Sequence, residues 1–372
     1  MVEARFLQIH SLHGYDGALL NRDDSGLAKR LTYGGAMRTR ISSQCLKRHW
    51  RMDDGVHSLR RIDGAPLTVR SRETVTRRVI EPLTAEGFHA DVAAAIDTVF
   101  QVAVYGEKGA KIASRQPLML GEPEIAYLAQ EARAIAAAHR ADPEGAREAA
   151  RAWSANATDN MKAMRDNCAL PGGLDAALFG RMVTADLEAN VEGAVHVAHA
   201  FTVHAEESES DYFTVVDDLQ QDEDAVRADH IGESELHSGL FYGYVVVDRP
   251  GLVGNLGGDS ELAGTVVERL IQLIATVSPG AKRGSTAPYA YASWMLVEAG
   301  DQQPRSLAEA FRRPCAPSLE DAEQAAIAHL ENLDQTYQTG EVRRFLRLKG
   351  GDGLSLRDLA AWGARVVREG TA

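Results

Sequence analysis

The 372 residues are 45% hydrophobic and 25% charged, which is ordinary for a globular protein and long enough for one large domain or two. The formal net charge of −13 argues against indiscriminate nucleic-acid binding but leaves room for a local basic groove. The three cysteines are widely separated, and no run approaches the ~18 apolar residues of a membrane span, which predicts a reduced cytoplasmic protein without a signal peptide.

The N-terminal region contains the strongest charge feature of the chain. A predicted first strand at residues 5–10 is followed by a loop at 11–20 and then by a basic segment, residues 21–51. This segment carries eight basic and two acidic residues, a charge of +6 that leaves −19 for the rest. A basic island in an acidic chain indicates a negatively charged ligand.

The second half of the basic segment predicts a short strand followed by a helix. Gly34-Gly35 breaks regular structure, residues 37–41 alternate as a strand does, and Ser42 or Ser43 can cap a helix that begins near residue 44. One helical face then carries Gln44, Lys47, Arg48 and Arg51. Leu46 and Trp50 point elsewhere and anchor the helix, while free N–H groups at 42–44 add affinity for an anion. A solvated basic face is the alternative interpretation.

The rest of the chain predicts a helical insertion at residues 53–180, with helices at 90–104, 124–139 and 145–153. Strands are predicted at 195–203, 240–248 and 289–297, and helices at 258–276, 319–333 and 354–368. Residues 206–235 hold twelve acidic residues and one basic residue, and this region predicts a projecting hairpin or loop with an aromatic tip. The order is compatible with a β-α-β-β-α-β sheet and an α+β fold.

Several long strings in this sequence resemble a known family. These are LNRDDSGLAKRLTYGGAMRTRISSQCLKRHWR (20–51), VEGAVHVAHAFTVH (191–204), DYFTVVDDLQ (211–220), SGLFYGYVVV (238–247) and PGAKRGS (279–285). In this order and spacing they resemble the CasC family, the backbone subunit of type I-E CRISPR Cascade surveillance complexes. The resemblance implies a ferredoxin-like, RRM-type palm (1–52, 181–205 and 237–372), inserted helical fingers (53–180) and a protruding thumb hairpin (206–236).

The resemblance also implies which residues bind RNA. The groove signature corresponds to Arg22, Lys29, Ser42, Gln44, Lys47 and Arg51, and helical spacing adds Ser43 and Arg48. Met182, preceded by Arg181, matches a methionine that wedges beside a base, and Tyr212 with Phe213 matches the thumb aromatics that press on the guide. Lys282 and Arg283 form a second small basic patch. Core packing is the alternative for the methionine and the aromatic pair, and solvent exposure for the second patch.

The implied function is a non-catalytic scaffold that polymerises along a CRISPR guide RNA. Its implied partners are the guide RNA, the target DNA strand, other copies of itself, other Cascade subunits and a recruited helicase-nuclease, with no cofactor and no membrane. The acidic thumb would face solvent or the basic surface of a neighbouring copy rather than the guide.

Three other interpretations are open. The main one is a metal-dependent ribonuclease that uses Asp23 and Asp24, although adjacent residues project in different directions and make a poor clamp for two metals. A metal site at His196, His199 and His204 is disfavoured, since strand geometry separates these side chains. A purely structural protein would leave the basic segment unexplained.

Overall fold

The computed structural model describes residues 2–168, 170–183, 186–215, 230–281, 283–348 and 350–372, with side chains for all of these except 213–215 and 230–234. The strands are β1 (Phe6–Ala18), β2 (Arg30–Tyr33), β3 (Ala36–Ile41), β4 (Thr68–Ser71), β5 (Leu118–Gly121), β6 (Val195–Val197), β7 (Ala200–Thr202), β8 (Ser208–Val215), β9 (His230–Asp248), β10 (Ala292–Gly300) and β11 (Val342–Arg347). The helices are α1 (Ser43–Met52), α2 (Glu81–Ala85), α3 (Ala90–Tyr105), α4 (Glu122–Ala138), α5 (Pro143–Ala155), α6 (Ala157–Asp166), α7 (Gly173–Phe179), α8 (Arg249–Asn255), α9 (Ser260–Thr276), α10 (Arg283–Thr286), α11 (Leu319–Tyr337) and α12 (Leu356–Glu369). The predicted α+β class is confirmed.

The chain forms two compact units. The first contains Met1–Arg61, His196–Arg249 and Gly264–Ala372, and the second contains Ile62–Val195 and Pro250–Ala263. The palm, fingers and thumb boundaries inferred from the sequence stay predictions.

A large antiparallel sheet organises the first unit. Its strands run in the order β11-β10-β1-β9-β7-β3-β2, and β6 and β8 also pair with β9. Within this sheet β10, β1, β9 and β7 are successive neighbours, with α1 following β1 and α9 following β9 in the chain. The order is compatible with a β-α-β-β-α-β arrangement, and the ferredoxin-like assignment stays a prediction.

Strand β1 is longer than the sequence predicts. It continues to Ala18, whereas residues 11–20 were expected to be a loop, because β9 pairs with it from Phe6↔Asp248 to Ala18↔His237. Its other edge pairs with β10 from Phe6↔Gly300 to His13↔Ala292. Beyond His13 the strand continues by pairing with β9, so tertiary pairing on that edge overrides the two glycines that suggested a loop.

Helices cover both faces of β1. On one face, α12 packs closely against α9 and β1, since a Cβ at Gly363 would lie 2.5 Å from Ile271 Cδ1 and 3.5 Å from Leu7 Cδ2. On the opposite face, Leu12 belongs to a buried cluster that includes Ala326 of α11. The central strand is therefore buried on both sides, which explains why polar residues on it need internal partners.

The hairpin between β2 and β3 explains the paired glycines. Gly34 and Gly35 have φ of +62° and +79°, and Tyr33 pairs directly with Ala36 across the turn. A two-residue hairpin turn with both central residues at positive φ favours glycine at both positions.

The second unit has a helical core, as the sequence predicts for this region. The helices expected at 90–104, 124–139 and 145–153 correspond to α3, α4 and α5. Phe100 stacks on Trp153 with ring centroids 4.2 Å apart, and both belong to a cluster with Ile96, Leu128 and Ala132. A two-stranded sheet of β4 and β5 adds a feature that the alanine-rich pattern did not suggest.

Other predicted elements are shifted or divided. The strand expected at 289–297 is β10, which begins three residues later, and the strand expected at 195–203 is divided into β6 and β7. Strand β11 was missed, since its sequence VRRFLR reads as charged rather than apolar. Of the helices in the described parts of the chain, none is long and apolar enough to cross a membrane.

A buried ionic network lies on one face of the sheet. His10 of β1 contacts the Tyr242 hydroxyl at 2.8 Å and Glu298 of β10 at 3.1 Å. Glu298, fully buried, accepts hydrogen bonds from Arg305 at 2.9 Å and Arg343 at 2.6 Å. Burial alone raises the pKa of Glu298, but its bonds to His10 and the arginine charges outweigh burial and lower that pKa. Glu298 is therefore the buried carboxylate that His10 and the half-buried Arg305 and Arg343 share.

We predict that Glu298→Ala lowers the free energy of unfolding by about 2–3 kcal/mol at neutral pH, because His10, Arg305 and Arg343 lose the buried carboxylate that they share. Arg305 keeps its pair with Glu341 and Arg343 keeps its pair with Asp334, which limits the loss. Since the folded-state pKa of Glu298 is lowered, its contribution is present above the unfolded pKa of about 4.3 and is lost as pH falls below that value. Urea unfolding at neutral and acidic pH measures the difference.

The matched control is Glu309→Ala, which removes an exposed carboxylate paired with Arg312 in the same unit. We expect no resolvable change for this variant. Equal effects of the two substitutions would show that the Glu298 network contributes no more than a surface pair.

Candidate nucleic-acid interface

The basic segment begins with a tight turn after β1. The Asp23 carboxylate accepts hydrogen bonds from the N–H groups of Ser25 at 2.9 Å and Leu27 at 3.0 Å. Arg22 is exposed and Lys29 is half-buried on either side of this turn. Asp23 thus closes a loop, which weakens its case as a metal ligand in a ribonuclease.

Helix α1 begins where the sequence predicts, with Ser42 as its N-cap. The Ser42 hydroxyl accepts a hydrogen bond from the N–H of Cys45 at 3.3 Å. The N–H of Ser42 donates to Asn21 Oδ1 at 2.9 Å, and that of Ser43 donates to His199 Nδ1 at 3.1 Å. These donors are occupied, so the expectation of free N–H groups for an anion is wrong at Ser42 and Ser43.

The two faces of α1 differ in burial as predicted. Trp50 is buried, and Leu46 packs against the cluster of Tyr15, Ala18, Leu20, Ile41, Ala200 and Phe241, here called the α1 cluster. Gln44 and Arg48 are exposed, whereas Lys47 and Arg51 are half-buried. Burial lowers the pKa of Lys47. The polar side of α1 is therefore available to a ligand over at least one helical turn.

Other cations lie near the start of α1. The charges of Lys29 and Arg48 counteract the burial that raises the pKa of the Cys45 thiol. Burial and the charges of Arg40 and Lys29 lower the pKa of His199, consistent with a neutral imidazole that accepts a hydrogen bond. Lys29, Arg40 and Arg48 thus share one neighbourhood and form, with Arg283, the basic patch.

The predicted second patch joins the first. The N–H of Ala281 donates to the carbonyl of Leu19 at 2.9 Å, next to the start of the basic segment. Arg283 is exposed and its charge contributes, after burial, to lowering the pKa of His49 on α1. Lys282 lies outside the described residues. The residues that join the two patches lie more than 230 positions apart in the sequence, so their spacing could not predict this contact.

Two arginines of the basic segment have structural roles. Arg38 is fully buried and donates to the carbonyl oxygens of Thr202 at 2.9 Å and Phe311 at 2.8 Å. Arg30 donates hydrogen bonds to the carboxylates of Glu206 and Glu235. These two cations thus stabilise the sheet. The positive charge that a ligand can contact is therefore smaller than the net charge of the segment.

In the second unit, the neighbouring residues Arg181 and Met182 differ in burial. Arg181 is buried, with hydrogen bonds to Glu124 at 2.6 Å and to the Ala189 carbonyl at 2.9 Å. Its guanidinium is used internally, so we withdraw Arg181 from the RNA-contacting residues. Met182 is 79% exposed and lines a cavity of about 750 Å³ together with Tyr105. Core packing is excluded for this methionine, and its contact with a base stays a prediction.

The acidic region contains the expected hairpin. Strand β8 pairs with β9 from Ser208↔His237 to Val215↔His230. Tyr212 is 63% exposed, which excludes core packing. The Phe213 side chain and residues 222–224 lie outside what the structure describes, so their expected roles stay predictions.

One carboxylate–histidine group was missed in the sequence. Ligand atoms of Glu206, Glu235 and His237 lie within 4.8 Å of one another at the base of the β8–β9 hairpin. Arg30 pairs with both carboxylates there. The group therefore acts as an anionic receptor for Arg30, and its members were hidden by their wide spacing in sequence.

Two exposed tyrosines were also missed. Tyr289 and Tyr291 precede β10 and are 71% and 73% exposed. They were assigned to a core strand because aromatic residues favour strands. The preceding Pro288 is the signal that could have moved the start of the strand.

A family model described as "CT1975-like protein" (Cas_CT1975) matches residues 7–363. The chain belongs to this family. A chain of a "CRISPR RNA-guided surveillance complex, pre-nicking" is 27% identical to the CT1975-like chain, with a TM-score of 0.80 over 97% of this chain and 100% of that chain. A chain of a "CRISPR RNA-guided surveillance complex" is 20% identical, with a TM-score of 0.57 over 97% and 99%, and shares the fold. Among curated protein sequences, none matches.

The resemblance noted in the sequence is thus confirmed at the level of CRISPR surveillance-complex subunits. The subtype, type I-E, stays a prediction.

We predict that Arg30→Ala lowers the free energy of unfolding by about 2 kcal/mol at neutral pH, because two partly buried carboxylates lose a charged donor. Although burial raises the pKa of Glu235, its hydrogen bonds, including that of Arg30, lower it overall. The stabilisation is therefore present above the unfolded pKa of about 4.3, and the effect of the substitution shrinks as pH falls below it. Denaturant unfolding of both proteins at neutral pH and at a pH below about 4.3 measures the difference in stability.

Arg48→Ala is the matched control, since Arg48 is exposed on α1. It should leave stability unchanged at both pH values. A stability loss for Arg30→Ala that does not depend on pH would contradict the proposed carboxylate pairing.

Proposed function

We propose that the CT1975-like chain is a non-catalytic, RNA-binding backbone subunit of a CRISPR surveillance complex of type I-E. The observation that carries this proposal is the basic patch around α1, where Lys29, Arg40, Arg48 and Arg283 lie together in a chain of net charge −13. A focused patch of this kind fits the phosphates of a nucleic-acid strand.

The geometry of α1 suits backbone contacts. Trp50 is buried and Leu46 is half-buried against the α1 cluster, so the polar side of the helix is held in place before a ligand arrives. Gln44 supplies an exposed amide and Arg48 an exposed guanidinium. Cations and amide donors of this type position a phosphate backbone without reading its sequence. We infer that Arg22, Lys29, Gln44, Lys47, Arg48, Arg51 and Arg283 contact the guide RNA directly, and that Ser42 and Ser43 hold the start of the helix.

The similar structures support the choice of ligand. The 27%-identical chain belongs to a complex described as RNA-guided, and its similarity extends over 97% of this chain. By this likeness we propose the guide RNA, other copies of this chain and other Cascade subunits as partners in the cytoplasm. The target DNA strand and a recruited helicase-nuclease are further proposed partners, and base pairing with the guide would read the target sequence.

The β8–β9 hairpin is proposed as the thumb. Tyr212 presents an exposed ring that can stack on any base, and Met182 offers an exposed thioether in the second unit. The acidic residues of the thumb would face a neighbouring copy, in a head-to-tail contact that suits an open filament. Charge reversal of Asp222, Glu223 and Asp224 should therefore weaken assembly while single-subunit RNA affinity is retained.

The absence of catalysis is part of the proposal. Asp23 is engaged in a turn with the N–H groups of Ser25 and Leu27, which supports a structural role for it rather than a metal-binding one. The ribonuclease remains the alternative function, and RNA integrity distinguishes the two.

We predict that Lys47→Ala/Arg51→Ala weakens binding of single-stranded RNA and reduces the slope of log K against log salt by about 1.4, since each phosphate contact on a single strand contributes about 0.7. Fluorescence anisotropy over a salt series measures the slope, and a denaturing gel with magnesium checks that the RNA stays whole.

Arg357→Ala/Arg365→Ala is the matched control, because it removes the same charge from exposed positions of α12. It should retain the wild-type slope. An equal reduction in both variants would attribute binding to net charge, and RNA cleavage that stops in Asp23→Ala or Asp24→Ala would establish the ribonuclease.

A further inference from the structure

Tyr289 and Tyr291 form an exposed aromatic pair in the first unit. Both rings are more than two-thirds exposed, and they are separated by a single residue. Scattered apolar side chains on a surface are ordinary, whereas two large exposed rings one residue apart in the chain indicate a contact surface. Neither residue belongs to the sequence strings that suggested the RNA groove.

The backbone between the two rings is fixed. Ser278 Oγ donates to the carbonyl of Ala290 at 3.0 Å, and the N–H of Ala290 donates to Ser278 Oγ at 2.9 Å. These geometries describe one hydroxyl that faces both backbone groups, and Ser278 itself is buried. The segment is therefore held by a buried polar group although its side chains are exposed.

The side chain of Ala290 sets the direction of its neighbours. Ala290 packs against the α1 cluster, as Leu46 and Cys45 of α1 also do. Burial alternates along this stretch, since Pro288 and Ala292 are buried and Ala290 is half-buried while both tyrosines are exposed. Tyr289 and Tyr291 therefore project on the outer side of the same cluster that anchors α1.

The surroundings of the pair are cationic. Arg283 lies six residues before Tyr289, and its charge acts on His49 of α1. Arg48 acts on the same histidine. Ala290, between the rings, packs in the cluster that holds Cys45 and Leu46 of α1, the helix that carries Arg48. A ligand at this place meets exposed aromatic side chains on a surface that also carries cations. Nucleotides of a single strand offer the matching chemistry, a stackable base attached to a phosphate.

We propose that Tyr289 and Tyr291 stack on nucleobases of the RNA strand whose phosphates contact the basic patch. The two rings hold bases in place without regard to sequence, since every base has a stackable face. This inference rests on the proposed RNA-binding function and adds base contacts to a site otherwise made of phosphate contacts.

The test compares the full chain with Tyr289→Ala/Tyr291→Ala and with Tyr289→Phe/Tyr291→Phe, on single-stranded RNA and on an abasic oligomer with the same number of phosphates. The alanine pair should bind RNA at least about fivefold more weakly per ring, with an unchanged salt slope, while the phenylalanine pair retains wild-type affinity. On the abasic oligomer all three proteins should bind equally. Thermal unfolding should be unchanged, since both rings are exposed.

The outcomes separate this inference from the proposed function. Wild-type affinity of the alanine pair for RNA, with weaker binding by Lys47→Ala/Arg51→Ala, overturns the stacking inference alone. Equal losses on RNA and on the abasic oligomer also overturn it. If the alanine pair binds RNA normally but changes the self-association of the chain, the rings contact protein. If wild-type chain binds no RNA at low salt, both the function and the inference are wrong.

Discussion

The end of strand β1 is the constraint on which the candidate interface depends. The three residues after the strand each accept a hydrogen bond from a different part of the interface. The Leu19 carbonyl accepts the N–H of Ala281, and the Leu20 carbonyl accepts the Cys45 thiol. Asn21 Oδ1 accepts the N–H of Ser42. Pairing with β9 continues to Ala18, directly before these acceptors, and Ala18 and Leu20 are buried in the α1 cluster. The basic helix and the loop that carries Arg283 are thus both attached to this one strand end.

The basic residues of the segment have two different roles. Arg38 and Arg30 lie within or beside the sheet, where carbonyl and carboxylate groups surround them. Arg48 of α1 is exposed, and Lys47 and Arg51 are half-buried on the same polar side of the helix. Buried charges need internal partners, which accounts for the structural roles of Arg38 and Arg30.

Sequence reasoning was most successful where local patterns decide structure. The Ser42 cap, the buried Trp50 and the Gly34-Gly35 turn depend on neighbouring residues, and the structure has all three. Reasoning from sequence was less successful where distant segments decide. The occupation of N–H groups by His199 and the internal ion pair of Arg181 involve residues that only the fold brings together. The exposure of Tyr289 and Tyr291 likewise depends on where pairing in β10 begins.

Lysine footprinting of the full chain with and without single-stranded RNA shows whether the polar side of α1 holds an RNA backbone. We expect bound RNA to protect Lys29 and Lys47 from acetylation, while Lys162 of the second unit, paired with Glu188, reacts equally in both states. Equal modification of Lys29 and Lys47 with and without bound RNA would contradict it.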